Sequence, residues 1–250
     1  MKKRVEMVVE SVNEIALDTV EMTLSNAYVA KNAQSGQFLH LQVEGHSLRR
    51  PISIADIDRE NGLITMLFKK IGNGTKRLAM YRPGMIIDAL GPSGNGFSYD
   101  PSMKTALLIG GGIGIPPLYN LGKELRNKGI NVIAVLGFQS KEHVFYEAKF
   151  NELGETYVVT NDGSYGHKGF VTNVLSQVAK FDYYFSCGPI PMLQAVTKEL
   201  HDHQGFISLE ERMGCGVGAC FACVIPTDSE GEYRKICKDG PVFAAKEVIL

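Results

Sequence analysis

Along the first hundred residues, apolar and polar side chains alternate in short runs: KRVEMVVESV, DTVEMTL, QFLHLQV, GLITMLFK and MIIDAL. A period of two is that of a strand with one face buried, and the Gly, Pro and Asn residues between the runs are turn formers. Strands at this regular spacing predict a small antiparallel β-barrel over residues 1–102. From Lys104 the pattern changes. Apolar runs such as TALLIG, NVIAVLGF, TYVVTND and DYYFSC alternate with amphipathic stretches, PPLYNLGKELRNKG, SKEHVFYEAKFNELG, VTNVLSQVAK and IPMLQAVTKELHD. That order, strand then helix, predicts a parallel α/β domain over residues 103–207. A third texture begins near Gly205, where the strand-like FISLEER runs into the Gly- and Cys-rich MGCGVGACFAC, and residues 208–250 form the last expected segment. The expected fold class is two-domain, β plus α/β, with a cysteine-bearing C-terminal segment.

Composition adds limits to this picture. A chain of 250 residues, 44% hydrophobic and 21% charged, can bury a substantial core in one large or two ordinary domains. Its net charge of -1 supplies no field to draw in nucleic acid or an anionic membrane, so neither is expected as a partner. The N-terminal MKKRVEMVVE is basic but leads into strand-like alternation, not into the apolar core of a signal peptide, and no run of about 18 apolar residues occurs. A cytoplasmic location is expected.

The cysteines carry the most specific chemistry. Five are too few for a disulfide scaffold, and four of them fall between residues 215 and 237, as expected of a metal site in a reducing compartment. Cys215, Cys220, Cys223 and Cys237 are spaced C-x4-C-x2-C-x13-C. The first three follow the plant-type [2Fe-2S] spacing with a distant fourth ligand. Gly214, Gly216, Gly218 and Ala219 would let the backbone fold tightly around a cluster and offer N–H donors to its sulfurs. A structural zinc with four cysteine ligands is the alternative, although such sites usually pair two C-x2-C units and this stretch has one. Cys187 stands apart at the end of DYYFSC. It reads either as a buried small hydrophobe or as a wall of a nicotinamide pocket.

Two glycine-rich turns suggest a dinucleotide site. In TALLIGGGIGIPP, Gly111, Gly112 and Gly114 directly follow an apolar strand, and two prolines suit the first turn of the helix that comes next. The loop departs from G-x-G-x-x-G and is weak evidence by itself. It gains weight from SCGPIPM, where Cys187, Gly188 and Pro189 form a second strand-end turn facing the same crevice. GFQSKEH, at the end of the second α/β strand, offers neither the acid expected to favour NAD nor an arginine for a 2′-phosphate. His167, in SYGHKG, reads as a solvated loop residue.

In the barrel, Arg50-Pro51-Ile52-Ser53 lies on a strand, and LFKKIGNGT ends in a glycine turn carrying a hydroxyl. A cation with hydroxyls and free N–H groups suits a pyrophosphate, while singly Arg50 reads as a surface charge and GNGT as a hairpin turn. In this order, R-x-x-S, G-x-G-T, GGGIG-x-PP and CGP-x-PM resemble the ferredoxin-NADP reductase superfamily over the whole chain. Within it, ISLEERMGCGVGACFACV, RRPISIA, LGFQSK and KGFVTNVL resemble the electron-transfer subunits of class 1B dihydroorotate dehydrogenases of pyrimidine biosynthesis.

The resemblance implies a flavin-binding barrel, a nucleotide-binding α/β domain and a cluster-binding segment. It implies that Arg50, Pro51, Ile52, Ser53, Leu67, Phe68, Lys69, Gly74 and Thr75 contact FAD, that NAD is the nucleotide, and that the four cysteines bind a [2Fe-2S] cluster. Ile52 stands where many reductases of the superfamily place an aromatic against the flavin. The implied partner is an FMN-containing catalytic subunit, in a heterotetramer of two plus two. Two other readings remain: a subunit of another NAD(P)H-dependent reductase, such as a ferredoxin:NADP or sulfite or sulfide reductase, and a non-enzymatic zinc-stabilised nucleotide-binding module.

Overall fold

The structure, a computed structural model, describes residues 2–229 and 231–250. Its first unit contains β1 (Lys3–Ala16), β2 (Thr19–Ser25), α1 (Ala27–Asn32), β3 (Phe38–Leu41), β4 (Arg50–Asp58), β5 (Leu63–Lys69), α2 (Asn73–Leu78) and β6 (Ile86–Ser93). The strands close into an antiparallel barrel in the order β1-β2-β5-β4-β3-β6. Alternation along the strands sends Met7 and Val9, Val20, Met22 and Leu24, Leu39 and Leu41, and Ile64, Met66 and Phe68 into one core. Phe38 and His40 therefore point out of the barrel. Both are nevertheless sealed, because the C-terminal segment packs over them.

The second unit contains β7 (Thr105–Gly111), α3 (Ile115–Asn127), β8 (Asn131–Phe138), α4 (Glu147–Asn151), β9 (Gly154–Thr160), β10 (His167–Lys168), β11 (Tyr183–Cys187), α5 (Ile190–Glu199) and β12 (Gln204–Ser208). The remaining strands are β13 (Val224–Pro226), β14 (Tyr233–Lys235) and β15 (Val242–Ala244). The large sheet has the order β10-β9-β8-β7-β11-β12-β15 and is parallel except for β15, which runs antiparallel to β12. The C-terminal segment thus completes the edge of the large sheet. The interior strands read as continuous apolar runs because both faces are buried.

The two units pack through α3 and β4, where Lys123 Nζ lies 2.6 Å from Asp56 Oδ1. Ser35 Oγ donates to Glu124 at 2.8 Å, and the Tyr146 hydroxyl donates to Glu21.

Several local expectations change. SKEHVFYEAKFNELG is not one helix: a 3-10 turn at Lys141–His143 gives way to α4, and Tyr146 takes φ 63 between them. Phe145 and Tyr146 are drawn into the core, which outweighs the helical pattern of the segment. VTNVLSQVAK forms a 3-10 helix, Val171–Gln177, with Val171, Val174 and Leu175 packed onto the sheet. GNGT begins α2 instead of making a hairpin turn, since Thr75 Oγ1 accepts from the N–H groups of Ile71 at 3.2 Å and Gly72 at 3.3 Å. The alternation reading passed over α1, whose start is capped by Asn26 accepting from Val29 N at 3.0 Å.

Candidate functional site

The sheet order reverses between β7 and β11, and open α/β sheets bind ligands outside the carboxyl ends of strands at such a point. A crevice of about 650 Å³ lies there, lined by Gly111, Gly112, Gly188 and Pro189 from the α/β domain and by Lys69 from the barrel. That volume suits a small-molecule or cofactor site. The other two nucleotide-site candidates sit behind its wall. Gly114 packs on the backbone of Cys187 and Gly188, and Cys187 is fully buried, its thiol pushed well up by burial and then by the Glu210 carboxylate. Another hollow, of about 470 Å³, is open to solvent between Thr105, Asn131 and Glu155 at the amino ends of the strands, far from this chemistry.

Glu210, just beyond β12, also lines the crevice and was not among the sequence candidates. It accepts a long hydrogen bond from Ser53 Oγ, 3.4 Å, across 157 residues of sequence. The residue is solvent-exposed where it lines the crevice, whose walls crowd its carboxyl. Burial pushes it up to about 7, against the opposing Ser53 bond. The one sequence signal was its place at the end of a strand neighbouring Cys187. Ser53 on the barrel thus bonds to Glu210 just beyond β12, and Lys69 of the barrel lines the same crevice as Glu210.

On the barrel, β4 presents Arg50, Pro51, Ile52 and Ser53 beside the end of β5, with Leu67, Phe68 and Lys69. Ile52, Leu67 and Phe68 are buried, so their contribution is to shape the wall, whereas Arg50, Pro51, Ser53 and Lys69 are half-exposed. Gly74 and Thr75 lie on α2. Gly74 lies against the Arg50 guanidinium so closely that a β-carbon there would overlap it. Arg50 donates to the Leu48 carbonyl at 2.5 Å and meets His46 Nδ1 at 3.2 Å. Among the described residues it has no carboxylate partner, which leaves a positive charge to face an anion.

The four cysteine candidates come together in the C-terminal segment. Among the described residues, no three His, Cys, Asp or Glu side chains surround a single ion. The thiols meet in two pairs instead, Cys215 with Cys220 and Cys223 with Cys237, and Cys215 lies near enough to act on Cys237. Two irons that share four thiolates fit this division better than one tetrahedral zinc does. Backbone N–H groups already point at the sulfurs: Val217, Ala219 and Cys220 donate to Cys215 Sγ at 3.4, 3.2 and 3.4 Å, and Gly218 donates to Cys237 Sγ at 3.2 Å. Burial would push the Cys215 thiol up, but these N–H groups outweigh it and hold Cys215 at about 6. Cys237, deeper and beside Cys223, is pushed up to about 12.

The loop carrying Cys215 and Cys220 rests on the outward face of β3. Gly216 has φ +66 and lies on the ring of His40. His40 is 0% exposed, and among the described residues neither ring nitrogen has a hydrogen-bond partner. Burial first, then Arg49, Lys2 and Arg50, lowers its imidazole to about 4, so it is neutral. His40 pairs across the ladder with Pro51, so this strand pair carries flavin candidates on β4 and the cysteine loop on β3.

Comparison with known proteins places this geometry. The family described as the iron-sulfur cluster binding domain of dihydroorotate dehydrogenase B matches residues 210–249. A protein of Bacillus pumilus named dihydroorotate dehydrogenase B (NAD(+)), electron transfer subunit, is 53% identical over 99% of both chains. One of the same name from Shouchella clausii is 50% identical over 100% of this chain and 99% of that one. The chain belongs to this family of electron-transfer subunits. Among solved structures, that of the NADH-dependent reduced ferredoxin-NADP oxidoreductase matches at a TM-score of 0.89 and 30% identity, over 97% of this chain and 89% of that one. The ferredoxin reductase of carbazole 1,9a-dioxygenase matches at a TM-score of 0.70 and 20% identity, over 80% and 66% of the two chains, and shares the fold. Among the described residues, no helix is long and apolar enough to cross a membrane.

Proposed function

We propose that this chain is the electron-transfer subunit of an NAD-dependent dihydroorotate dehydrogenase in pyrimidine biosynthesis, joined to a catalytic subunit that carries FMN, two copies of each, in the cytoplasm. One observation carries this reading. Lys69 at the end of β5 and Gly111, Gly112, Gly188 and Pro189 of the α/β domain line a single crevice, while the four-cysteine loop rests on His40 of β3, whose ladder partner Pro51 stands among the flavin candidates of β4.

Bound FAD and a [2Fe-2S] cluster supply hydride exchange with nicotinamide and one-electron transfer towards the partner. The side chains do the positioning. Arg50 holds a diphosphate by charge-assisted hydrogen bonds, and Gly74 leaves the guanidinium room to do so. The glycine turns after β7 and β11 admit the dinucleotide close to the backbone. Glu210 Oε1 accepts from Ser53 Oγ and ties the barrel to the edge of the crevice. Cys215, Cys220, Cys223 and Cys237 are the cluster ligands. The exposed Val217, Phe221, Val224 and Tyr233 around their loop give the partner an apolar face to cover.

The test is anaerobic co-expression with a candidate FMN-bearing subunit. Copurification, with NAD reduction by dihydroorotate that needs both chains, supports the reading. A chain that instead couples NADH to ferredoxin and NADP, and ignores dihydroorotate with its partner present, overturns it in favour of the other reductase reading.

A further inference from the structure

Two lysines far apart in sequence grip the loop between Cys215 and Cys220. Lys2 Nζ donates to the carbonyl of Gly216 at 2.7 Å, and Lys235 Nζ donates to the carbonyl of Gly218 at 2.7 Å. Each of those carbonyls belongs to a peptide group whose N–H is the next residue's. The N–H of Val217 donates to Cys215 Sγ at 3.4 Å, and the N–H of Ala219 donates to the same sulfur at 3.2 Å. Two chains therefore run ammonium, carbonyl, amide, sulfur, and both end on one thiolate. Of the four N–H bonds to cysteine sulfur found among the described residues, three end on Cys215.

We infer that Lys2 and Lys235 set the electron affinity of the cluster by polarising the two peptide groups whose N–H bonds end on the Cys215 sulfur. The inference rests on the reading of the four cysteines as ligands of a [2Fe-2S] cluster. An ammonium on a carbonyl oxygen draws electron density through the peptide and makes its N–H a stronger donor, so the hydrogen bonds in such a chain reinforce one another. A reduced cluster carries one more negative charge than an oxidised one. Donors and cations at a thiolate therefore favour the reduced form and raise the potential.

Both ammonium groups are half-buried, where their field is less screened than on open surface. Lys235 is held further by the Phe221 ring, 4.6 Å from Nζ to the ring centre. Lys238 provides an internal contrast. Its stem lies against Gly218, its residue is exposed, and its ammonium makes no hydrogen bond to this loop among the described residues.

The experiment is a potentiometric titration of the intact flavin- and iron-loaded complex, with the reduced cluster followed by EPR. It compares wild type with K2M, K235M, K2M/K235M, K2R, K235R and K238M, after iron and sulfide have been assayed in each. K2M and K235M are each expected to lower the electron affinity of the cluster by roughly threefold to tenfold, tenfold being about 59 mV for one electron. The double variant falls further, the arginine variants stay near wild type, and K238M shifts least. The flavin potentials stay in place. A merely structural role would cost iron content or thermal stability and leave the potential of the loaded fraction unmoved; unmoved potentials in loaded K2M and K235M overturn the inference. K2M decides alone should K235M fail to load, because Lys235 also belongs to β14. Zinc without iron in the wild type would be a failure of the cluster reading itself, visible before any variant is measured.

Discussion

Gly216 lies on the buried imidazole of His40, so closely that a β-carbon on it would overlap Nδ1. The contact joins the residue after the first cysteine candidate to a barrel strand 176 positions earlier, and it leaves no room for a side chain. Its φ of +66 adds a second reason for glycine.

Gly216→Ala is therefore expected to lift the loop from β3. The left-handed backbone alone costs an alanine about 1–2 kcal/mol, and overlap with a ring that has nowhere to retreat adds to it. Iron and sulfide per chain should fall well below wild type, and the melting temperature should drop by several degrees, since about 1 kcal/mol corresponds to roughly 2–4 °C at this size. Iron assay and calorimetry on the same preparation check it.

His40 gives the fold an acid-labile point. Its folded value, about 4, lies below the ordinary 6.5, so the unfolded chain binds the proton first as pH falls. The stability this neutral, buried ring contributes is complete above about pH 6.5 and is lost progressively between 6.5 and 4. The loss reaches at most roughly 3 kcal/mol, at about 1.4 kcal/mol for each unit. The melting-temperature difference between wild type and His40→Asn, followed across that window, should swing against wild type as the solution is acidified. A difference that does not change with pH contradicts it.

Glu210 has the opposite sign. An acid raised to about 7 keeps its proton longer in the folded state, so stability falls as pH rises from about 4.5 to 7 and is level above that. Glu210→Gln should therefore melt higher than wild type at pH 8 and close to it at pH 4.5. Because crevice water reaches the carboxyl, the gain is on the order of 1 kcal/mol and not the full value of the shift. Thermal melts of both proteins at the two pH values measure it.

At the proposed flavin site, Arg50→Met removes a cation that has no carboxylate partner among the described residues, and Gly74→Ala crowds that cation without removing it. A hydrogen bond to a charged group contributes about 1.5–3 kcal/mol, so FAD should dissociate roughly 10- to 100-fold more readily from Arg50→Met. Gly74→Ala should show a smaller loss of the same kind. Fluorescence of released FAD against dilution reads both.

Much of this was legible in the sequence, and the residues explain why. A period of two along β1, β2 and β5 has few interpretations, and the cysteine spacing and strand-end glycines are local signals. GNGT was read as a turn because the Thr75 hydroxyl that starts α2 acts only once the chain has bent. The SKEHVFYEAKFNELG segment looks helical until Phe145 and Tyr146 find the core. Glu210, although inside ISLEERMGCGVGACFACV, and His40 and Lys2 were assigned no role from the sequence. Each acquires its role from a partner far along the chain, Ser53, Gly216 and Gly216 again, and such contacts leave no trace in a local pattern.

On the proposed function, one crevice exchanges electrons between nicotinamide and flavin, and the four cysteines carry them onward. This is tested most directly by an anaerobic absorption spectrum of the purified chain, with iron, sulfide and zinc assayed, before and after NADH. Flavin bands and about two irons per chain are expected, with both chromophores bleaching on addition of NADH and the iron bands alone lost in Cys223→Ser. A protein that stays colourless after reconstitution with FAD, iron and sulfide, and that holds zinc, would contradict it.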